Sequence, residues 1–274
     1  MVHFQHIQPH AQLQGYIEKL WVLETVGRFP EEDMKIIVPN GLIKMVIPYR
    51  NGLFGSMHGC AHVSAEHHIT LIGVSDIPSR VDYLNDAPTG SIGVEFSPLG
   101  AYRFFKINLS EIKNKIFHLE SVIGNVAKEL EERVSNVESV AGKVSLVQQF
   151  LISQMSKDQG DVVFDYCIQK IISHKGLVSV KSLESASGYS TRWINMKFNE
   201  KVGVSPKNLS SIIRFMQFYQ ALAVNNGITL LEKDFYSFYY DQSHFIKEFK
   251  RFTGLSPMKF IDAKNEFGKI FYKG

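Results

Sequence analysis

The sequence predicts an α+β protein, in which a β-rich N-terminal domain precedes an all-α C-terminal domain. Three observations support this prediction. Short β-branched runs fill the first hundred residues, helical periodicity replaces them after Pro98, and an 18-residue pattern occurs twice near the C-terminus. At 274 residues, the chain is long enough for two domains that each bury a core.

The composition limits the class of protein. No apolar run approaches the ~18 residues of a membrane span, and the first residues lack the pattern of a signal peptide. Only two cysteines occur, Cys60 and Cys167, one in each half, so disulfide bonds are not part of the predicted fold. These features predict a cytoplasmic protein without a membrane partner.

Four short apolar runs predict strands in the N-terminal domain. Each is bounded by Pro, Asn or Gly residues that favour tight turns. Short strands joined by such turns predict a β-barrel or a β-sandwich. The predicted strands cover residues 35–38, 42–47, 69–74 and 91–96.

Helices are predicted to follow these strands, at residues 101–105, 126–133 and 137–155. The last of them has apolar residues at three- and four-residue spacing, which form one stripe along the helix. The stripe consists of Val140, Val144, Val147, Leu151 and Met155. Two interpretations are open: the stripe packs on its own β domain, or it pairs with the same helix of a second subunit in a homodimer.

A polar segment ending in glycine, Lys157–Gly160, is the predicted link between the domains. It separates a β-rich domain with its following helices (residues 1–157) from an all-α domain (residues 161–274). The second half, from residue 161, carries 16 Lys and Arg against 10 Asp and Glu, whereas residues 1–160 carry 14 against 17. A basic helical domain suits a polyanionic partner.

The repeated pattern lies within this basic domain. An offset of 51 residues aligns Tyr189–Pro206 with Tyr240–Pro257, including the Gly-x-Ser-Pro end of each copy. Helices are predicted at 161–174, at 180–187 ending at Gly188, and at 191–202 capped by Ser190. A short helix, a glycine turn and a second helix form a helix-turn-helix, whose second helix enters the major groove of DNA.

The outward faces of the two repeated helices are polar. In the first copy, Ile194, Phe198 and Val202 are predicted to face the core. The outward residues are Arg192, Asn195, Met196 and Asn199. In the second copy, capped by Asp241, the outward residues are Gln242, Ser243, His244, Lys247, Lys250 and Arg251. Amide and cationic side chains of this kind pair with base edges and phosphates.

A predicted helix from residue 206 to 224 joins the two copies. About 19 residues at ~1.5 Å each give nearly 30 Å, close to the ~34 Å repeat of B-DNA. The helix could therefore hold two such helices one turn of DNA apart.

The second copy, YDQSHFIKEFKRFTGLSP, closely resembles the signature of AraC/XylS-family transcription regulators, and the match extends over residues 161–264. The resemblance implies two helix-turn-helix motifs joined by a linker helix and bound to one face of duplex DNA. The base-facing positions carried over by position are Arg192, Asn195, Met196, Gln242, Ser243, His244 and Lys247. More faintly, residues 16–21, 38–41 and 93–100 resemble the cupin-like sensor domains of some family members, which bind a small effector or mediate dimerisation.

The sequence departs from the family pattern at four positions. Glu184 and Asp234 stand where a small alanine is usual, Phe238 replaces the second turn glycine, and Met196 occupies a place often held by arginine. These departures predict different sequence demands in the two grooves.

A metal site is the main alternative for the N-terminal domain. If residues 57–63 form one strand, then His58, Cys60 and His62 share a face, and imidazole with thiolate suits zinc, copper or iron. Otherwise the histidines are solvated and Cys60 is a small apolar filler. The spacing matches no established metal motif, and no nucleophile elbow or phosphate-binding glycine loop occurs, so we predict no metal, no cofactor and no enzymatic activity.

The sequence thus predicts a DNA-binding transcription regulator controlled by a small effector or a partner at its N-terminal domain. Its partners would be a promoter site in double-stranded DNA, RNA polymerase if it activates, and a second copy if it dimerises. The alternative is a cupin-like small-molecule or metal-binding protein, with or without enzymatic activity, whose helical tail no longer binds DNA.

Overall fold

The computed structural model describes residues 2–27, 31–156, 160–225, 239 and 241–272. Within these residues, ten strands form two antiparallel sheets in the N-terminal domain. The strands are β1 Val2–Ile7, β2 Ile17–Thr25, β3 Ile36–Ile37, β4 Ile43–Arg50, β5 Leu53–Met57, β6 Cys60–Ser64, β7 Thr70–Ile72, β8 Ser79–Tyr83, β9 Thr89–Phe96 and β10 Ile116–His118. The six-stranded sheet has the order β1-β2-β9-β4-β7-β10, and the four-stranded sheet has the order β3-β8-β5-β6. The predicted strands correspond to β3, β4, β7 and β9.

The two faces of the six-stranded sheet have different neighbours because side chains alternate along each strand. Val22, Met45 and Val94 belong to a core shared with the helices that follow the sandwich. The opposite face, with Trp21 and Val46, lines the space between the two sheets. The sandwich interior therefore belongs to a second core cluster, which also includes Phe215 and Phe249 of the C-terminal domain.

Four helices follow or interrupt the last strands: α1 Ala101–Phe104, α2 Glu120–Ile123, α3 Asn125–Ser135 and α4 Val140–Gln154. In α4, Val144, Val147 and Leu151 are buried in the core that the sheet shares with the helices. The stripe thus packs on its own domain, as the first of the two interpretations states. It is not available to a second subunit.

The C-terminal domain is helical, and the predicted fold class is confirmed. Its described helices are α5 Val162–Ser173, α6 Val180–Ser187, α7 Thr191–Lys201, α8 Pro206–Asn225, α9 Gln242–Thr253, α10 Pro257–Asp262 and α11 Glu266–Ile270. These include all the helices predicted for the first repeat and the joining helix. Asp234 and Phe238 lie outside the described residues. Within the described ranges, no helix is long and apolar enough to cross a membrane.

The end of the chain returns to the β domain. The Asn265 side chain pairs with both backbone groups of Ile36: its Oδ1 accepts from the N–H at 2.8 Å, and its Nδ2 donates to the carbonyl at 2.9 Å. The carboxylate of Asp33 accepts from the backbone N–H groups of Glu266 and Phe267, which begin α11. These bonds satisfy the exposed edge of β3 and the free donors of α11 together.

Candidate nucleic-acid interface and sandwich cavity

Helices α6 and α7 are joined by a short turn, and the capping residues at the two helix ends determine its local geometry. Gly188 ends α6 at a φ of +74°, in the left-handed region that glycine adopts without steric cost. The Ser190 hydroxyl accepts from the backbone N–H of Trp193 at the start of α7. Ile194 and Phe198 are buried, so the back of α7 is fixed against the core.

Glu184 connects α6 to the start of α7, a role that the sequence did not predict. Its two carboxylate oxygens accept from the backbone N–H and the hydroxyl of Thr191, each at 3.0 Å. The backbone hydrogen bond, followed by the hydroxyl one, lowers the pKa of Glu184. The departure from alanine therefore ties α6 to the first residue of α7.

The outward face of α7 carries the predicted DNA contacts. Arg192 and Asn199 are exposed, and the Met196 side chain is 53% exposed. Asn195 is half-buried, and its Nδ2 donates to the Thr191 carbonyl of the same helix at 2.8 Å. The Asn195 amide group is therefore pre-oriented along α7, whereas the other three side chains extend into solvent.

Helix α9 repeats this plan. The carboxylate of Asp241 accepts from the backbone N–H of His244 at 2.7 Å, and Phe245, Phe249 and Phe252 are buried behind the helix. Tyr239 is also buried and packs on Phe245 at a ring-centroid distance of 5.1 Å, as expected for a core aromatic. All six predicted contact residues are exposed: Gln242, Ser243, His244, Lys247, Lys250 and Arg251.

Helix α8, which lies between α7 and α9 in the chain, is a rigid element. Its 20 residues correspond to about 30 Å at ~1.5 Å per residue. Leu209, Ile212 and Phe215 are buried along it, and Arg214 donates to both carboxylate oxygens of Glu248 on α9 at 3.1 and 3.2 Å. The joining helix and α9 are thus held together by packing and by an ion pair in which one guanidinium nitrogen, Arg214 Nη2, donates to both oxygens of Glu248.

Arg251 makes a contact that the sequence did not predict. Its Nη2 donates to the Asp76 carboxylate of the β domain at 2.5 Å and to Asn208 Oδ1 at 2.9 Å. Burial by itself would raise the pKa of Asp76, but hydrogen bonds from Lys113, Asn114 and Asn208 outweigh it and hold the pKa well below its ordinary value. Asp76 is therefore ionised at neutral pH.

The space between the sheets is a cavity of about 90 Å³. Most of its wall is apolar, and Phe267 and Phe271 from the end of the chain form part of it together with Trp21. A water molecule occupies ~30 Å³ in the liquid, so the cavity has room for a few waters or one compact ligand. Both domains contribute to this wall.

Lys44 is the notable polar residue of the cavity. It stands opposite Glu95 in the β4–β9 register, and Lys19 stands opposite Glu95 on the other side. Trp21 and Asn40 donate to the Glu95 carboxylate, but no described acidic group lies within 4 Å of Lys44 Nζ. Burial, with a further contribution from Lys19, lowers the pKa of Lys44 although Glu95 opposes the shift. The Ser91 hydroxyl also lines the cavity and has no hydrogen-bond partner among the described residues.

The arrangement proposed for a metal site is not present. His58 and Gly59 form the two-residue turn between β5 and β6, with φ angles of +52° and +76°, and Met57 pairs with Cys60. The condition for that site, that residues 57–63 form one strand, is not met, because the turn divides them between β5 and β6. Over the described ranges, no group of three or more His, Cys, Asp or Glu residues is placed to hold a metal ion. Cys167 is buried, and Cys60 is exposed.

Comparisons with known proteins match parts of the chain at low identity. Residues 5–118 match a family described as a domain of unknown function, DUF6597. The search of curated proteins found no match. The chain is similar to ToxT from Vibrio cholerae, with 16% identity over 88% of this chain and 98% of that chain and a TM-score of 0.46. A ToxT structure described as bound to an unsaturated fatty acid has 13% identity over 89% and 95% of the two chains, with a TM-score of 0.46. The cupin domain of Schizosaccharomyces pombe Cnp3 has 6% identity over 35% of this chain and 64% of that chain, with a TM-score of 0.28.

Sequence reasoning missed three of these site residues. The sequence did carry a signal for Lys44, because it is the only charged residue in the apolar run Leu42–Ile47. A charge in a strand that is buried on both faces is costly and therefore indicates a functional role. Glu184 was noticed only as a departure. Asp76 carries no local signal, because its partners on α8 and α9 lie 132 and 175 positions away.

Proposed function

We propose that this protein is a DNA-binding transcription regulator of the AraC/XylS type, acting in the cytoplasm without catalytic activity. The observation that carries the proposal is the matched construction of α7 and α9. Each is capped by a side-chain oxygen, buries aromatic or aliphatic residues behind it and exposes a polar face in front. Such helices suit the major groove, and a rod of about 30 Å suits two successive grooves.

In this proposal the exposed faces of α7 and α9 contact two successive major grooves. Arg192, Asn195, Met196 and Asn199 would meet one groove, and Gln242, Ser243, His244 and Lys247 the next. Arginine suits guanine, amides suit adenine, and a thioether suits the thymine methyl group. Lys250 and Arg251, in the last turn of α9, would meet phosphates.

Binding to promoter fragments at several salt concentrations tests the proposal. A regulator should prefer one site over random duplex, and its affinity should fall steeply with salt as counterions are released. Equal affinity for all fragments would overturn the proposal. An activator would in addition contact RNA polymerase, and a dimer would bind two half-sites at fixed spacing.

We also propose that the sandwich cavity is the effector site. The cavity combines an apolar wall with one lysine that forms no ion pair within 4 Å, although Glu95 lies opposite it, and one hydroxyl group without a hydrogen-bond partner among the described residues. A compact apolar carboxylate satisfies all three features, since the anion would pair with Lys44 and hydrogen-bond to Ser91.

The effector proposal is tested with straight-chain carboxylates of increasing length and the primary alcohols of matching length. Carboxylates should raise the melting temperature of the wild-type protein more than the alcohols do, and Lys44→Met should remove that difference. If alcohols and acids act alike on the wild type, the anion has no role. If a ligand binds but no DNA site is preferred, the protein is the small-molecule-binding alternative.

A further inference from the structure

The segment between β7 and β8 connects the cavity to the DNA-binding domain. Gly73 and Ser75 of this segment line the cavity, as does Ser79 at the start of β8. Asp76 lies among them in sequence, but its carboxylate contacts α8 and α9 instead. One short stretch of chain therefore contacts both the proposed effector site and a proposed DNA-binding helix.

Asp76 is only 5% exposed and is fully engaged. From its own domain, it accepts from Lys113 Nζ at 2.7 Å and from Asn114 Nδ2 at 2.8 Å. From the helical domain, it accepts from Asn208 Nδ2 at 2.6 Å and from Arg251 Nη2 at 2.5 Å. Since Lys113 already neutralises the carboxylate, Arg251 is a second cation that only the contact between domains supplies.

The contact uses a residue that the proposed function assigns to DNA. Arg251 Nη2 donates to Asp76 and to Asn208 at once. To bind a phosphate with that nitrogen, Arg251 has to exchange these two acceptors for phosphate oxygens. A carboxylate of the β domain and a DNA phosphate thus compete for one guanidinium group.

We propose that Asp76 is an internal competitor of DNA, which holds the last turn of α9 against the β domain until a DNA phosphate replaces it. This inference rests on the proposed function. It adds that the β domain restrains the second helix directly, and that Asp76 weakens DNA binding in the free protein. Because Asp76 lies in the segment that lines the cavity, a ligand in the cavity can change the contact between Asp76 and α9.

Asp76→Asn, with Asp82→Asn as the matched control, tests the competition. Asp82 pairs with Lys35 at 2.9 Å inside the β domain, so its substitution removes the same charge without contacting α9. Asp76→Asn should bind the preferred DNA site about two- to fivefold more tightly than wild type, the range of one partly exposed ion pair. Asp82→Asn should leave the affinity unchanged.

Arg251→Gln, combined with Asp76→Asn, completes a double-mutant cycle for this ion pair. In that background Asp76→Asn should no longer increase affinity, because the group for which Asp76 competes is absent. If Asp76→Asn fails to fold, Asn208→Ala tests the same competition. It removes the α8 side chain that bonds to both Asp76 and Arg251, and it should also tighten DNA binding.

Hydrogen exchange of the α9 backbone amides measures the restraint on this helix in the absence of DNA. Asp76→Asn should speed exchange in residues 242–253, whereas Asp82→Asn should not. If the wild type prefers no DNA site, the proposed function fails, and faster exchange would still support the restraint. If a site is preferred and Asp76→Asn matches Asp82→Asn in both affinity and exchange, the inference is wrong.

Discussion

Both carboxylate oxygens of Glu184 accept hydrogen bonds from Thr191, one from its backbone N–H and one from its hydroxyl group, at 3.0 Å each. The carboxylate thereby caps the helix that presents Arg192 and Met196. The capped donor lies at the positive end of the α7 dipole, where a negative charge is favourable.

We expect Glu184→Gln to lower the melting temperature, because a neutral amide has one oxygen acceptor in place of two and loses the charge. The folded-state pKa of Glu184 is lowered, so its contribution is present above the ordinary value of 4.5 and is lost as the pH falls through the folded pKa. Thermal unfolding at neutral and acidic pH measures this difference. Glu200→Gln, which breaks only the surface pair with Lys197, is the control. If wild type and Glu184→Gln still differ in melting temperature in strong acid, the Glu184 carboxylate is not the source of the stabilisation.

Lys247→Ala and Asn195→Ala should weaken binding to the preferred site by about 1–3 kcal/mol and relax discrimination at one base pair each. Lys247 is exposed on α9, and Asn195 is pre-oriented on α7. Fluorescence anisotropy on a set of single-base variants of the site checks this expectation. Lys128→Ala removes a charge from α3, where Lys128 pairs with Glu120, and should leave affinity unchanged. Equal losses on every sequence would assign the residue to phosphate alone.

Lys44→Met should raise the free energy of unfolding of the ligand-free protein, because it removes a charge whose burial is unfavourable. The folded-state pKa of Lys44 lies below the ordinary value of 10.5. The cost of charging is therefore full below the folded pKa and shrinks as the pH rises towards 10.5. Denaturant unfolding at neutral and alkaline pH should show a gain that declines with pH. A gain that is constant across this range would show that packing, not charge, is its source.

Asn265→Ala should destabilise the protein by about 1–3 kcal/mol, because it leaves the buried N–H and carbonyl of Ile36 without partners. The loss should also loosen Phe267 and Phe271, which form part of the cavity wall. Equilibrium unfolding measures the first effect, and hydrogen exchange at residues 264–272 measures the second. Asn85→Ala is a suitable control, since the Asn85 side chain accepts only from nearby Ala87 at the surface. Equal stability of the two variants would show that the tail is not anchored through Asn265.

The helical domain was predictable because its signals are local. Ser190 and Asp241 each cap a helix through an N–H three residues later, and Gly188 and Gly254 end helices at positive φ. A cap of this kind needs only a neighbouring backbone, so the sequence reveals it without knowledge of the fold. The exposed faces of α7 and α9 follow from the same periodicity.

The β domain was only partly predictable because strand pairing is settled by distant partners. Of the ten strands in the described residues, the sequence predicted only β3, β4, β7 and β9. The run IEKLWVLET of β2 interrupts its apolar pattern with Glu18 and Lys19. In the fold Glu18 is exposed, and Lys19 Nζ donates to the Phe271 carbonyl at 3.1 Å. The turn at His58 likewise shows that an alternating pattern of His and Cys does not establish one strand.

The sequence by itself therefore determined the fold class, the two polar helices and the residues on their outer faces. Only the tertiary structure placed Lys44 inside a sandwich, Asn265 on the edge of β3 and Asp76 against Arg251. The physical reason is separation along the chain. A helix cap depends on residues within a few positions, whereas Asp76 and Arg251 are 175 positions apart and meet only when two domains pack together.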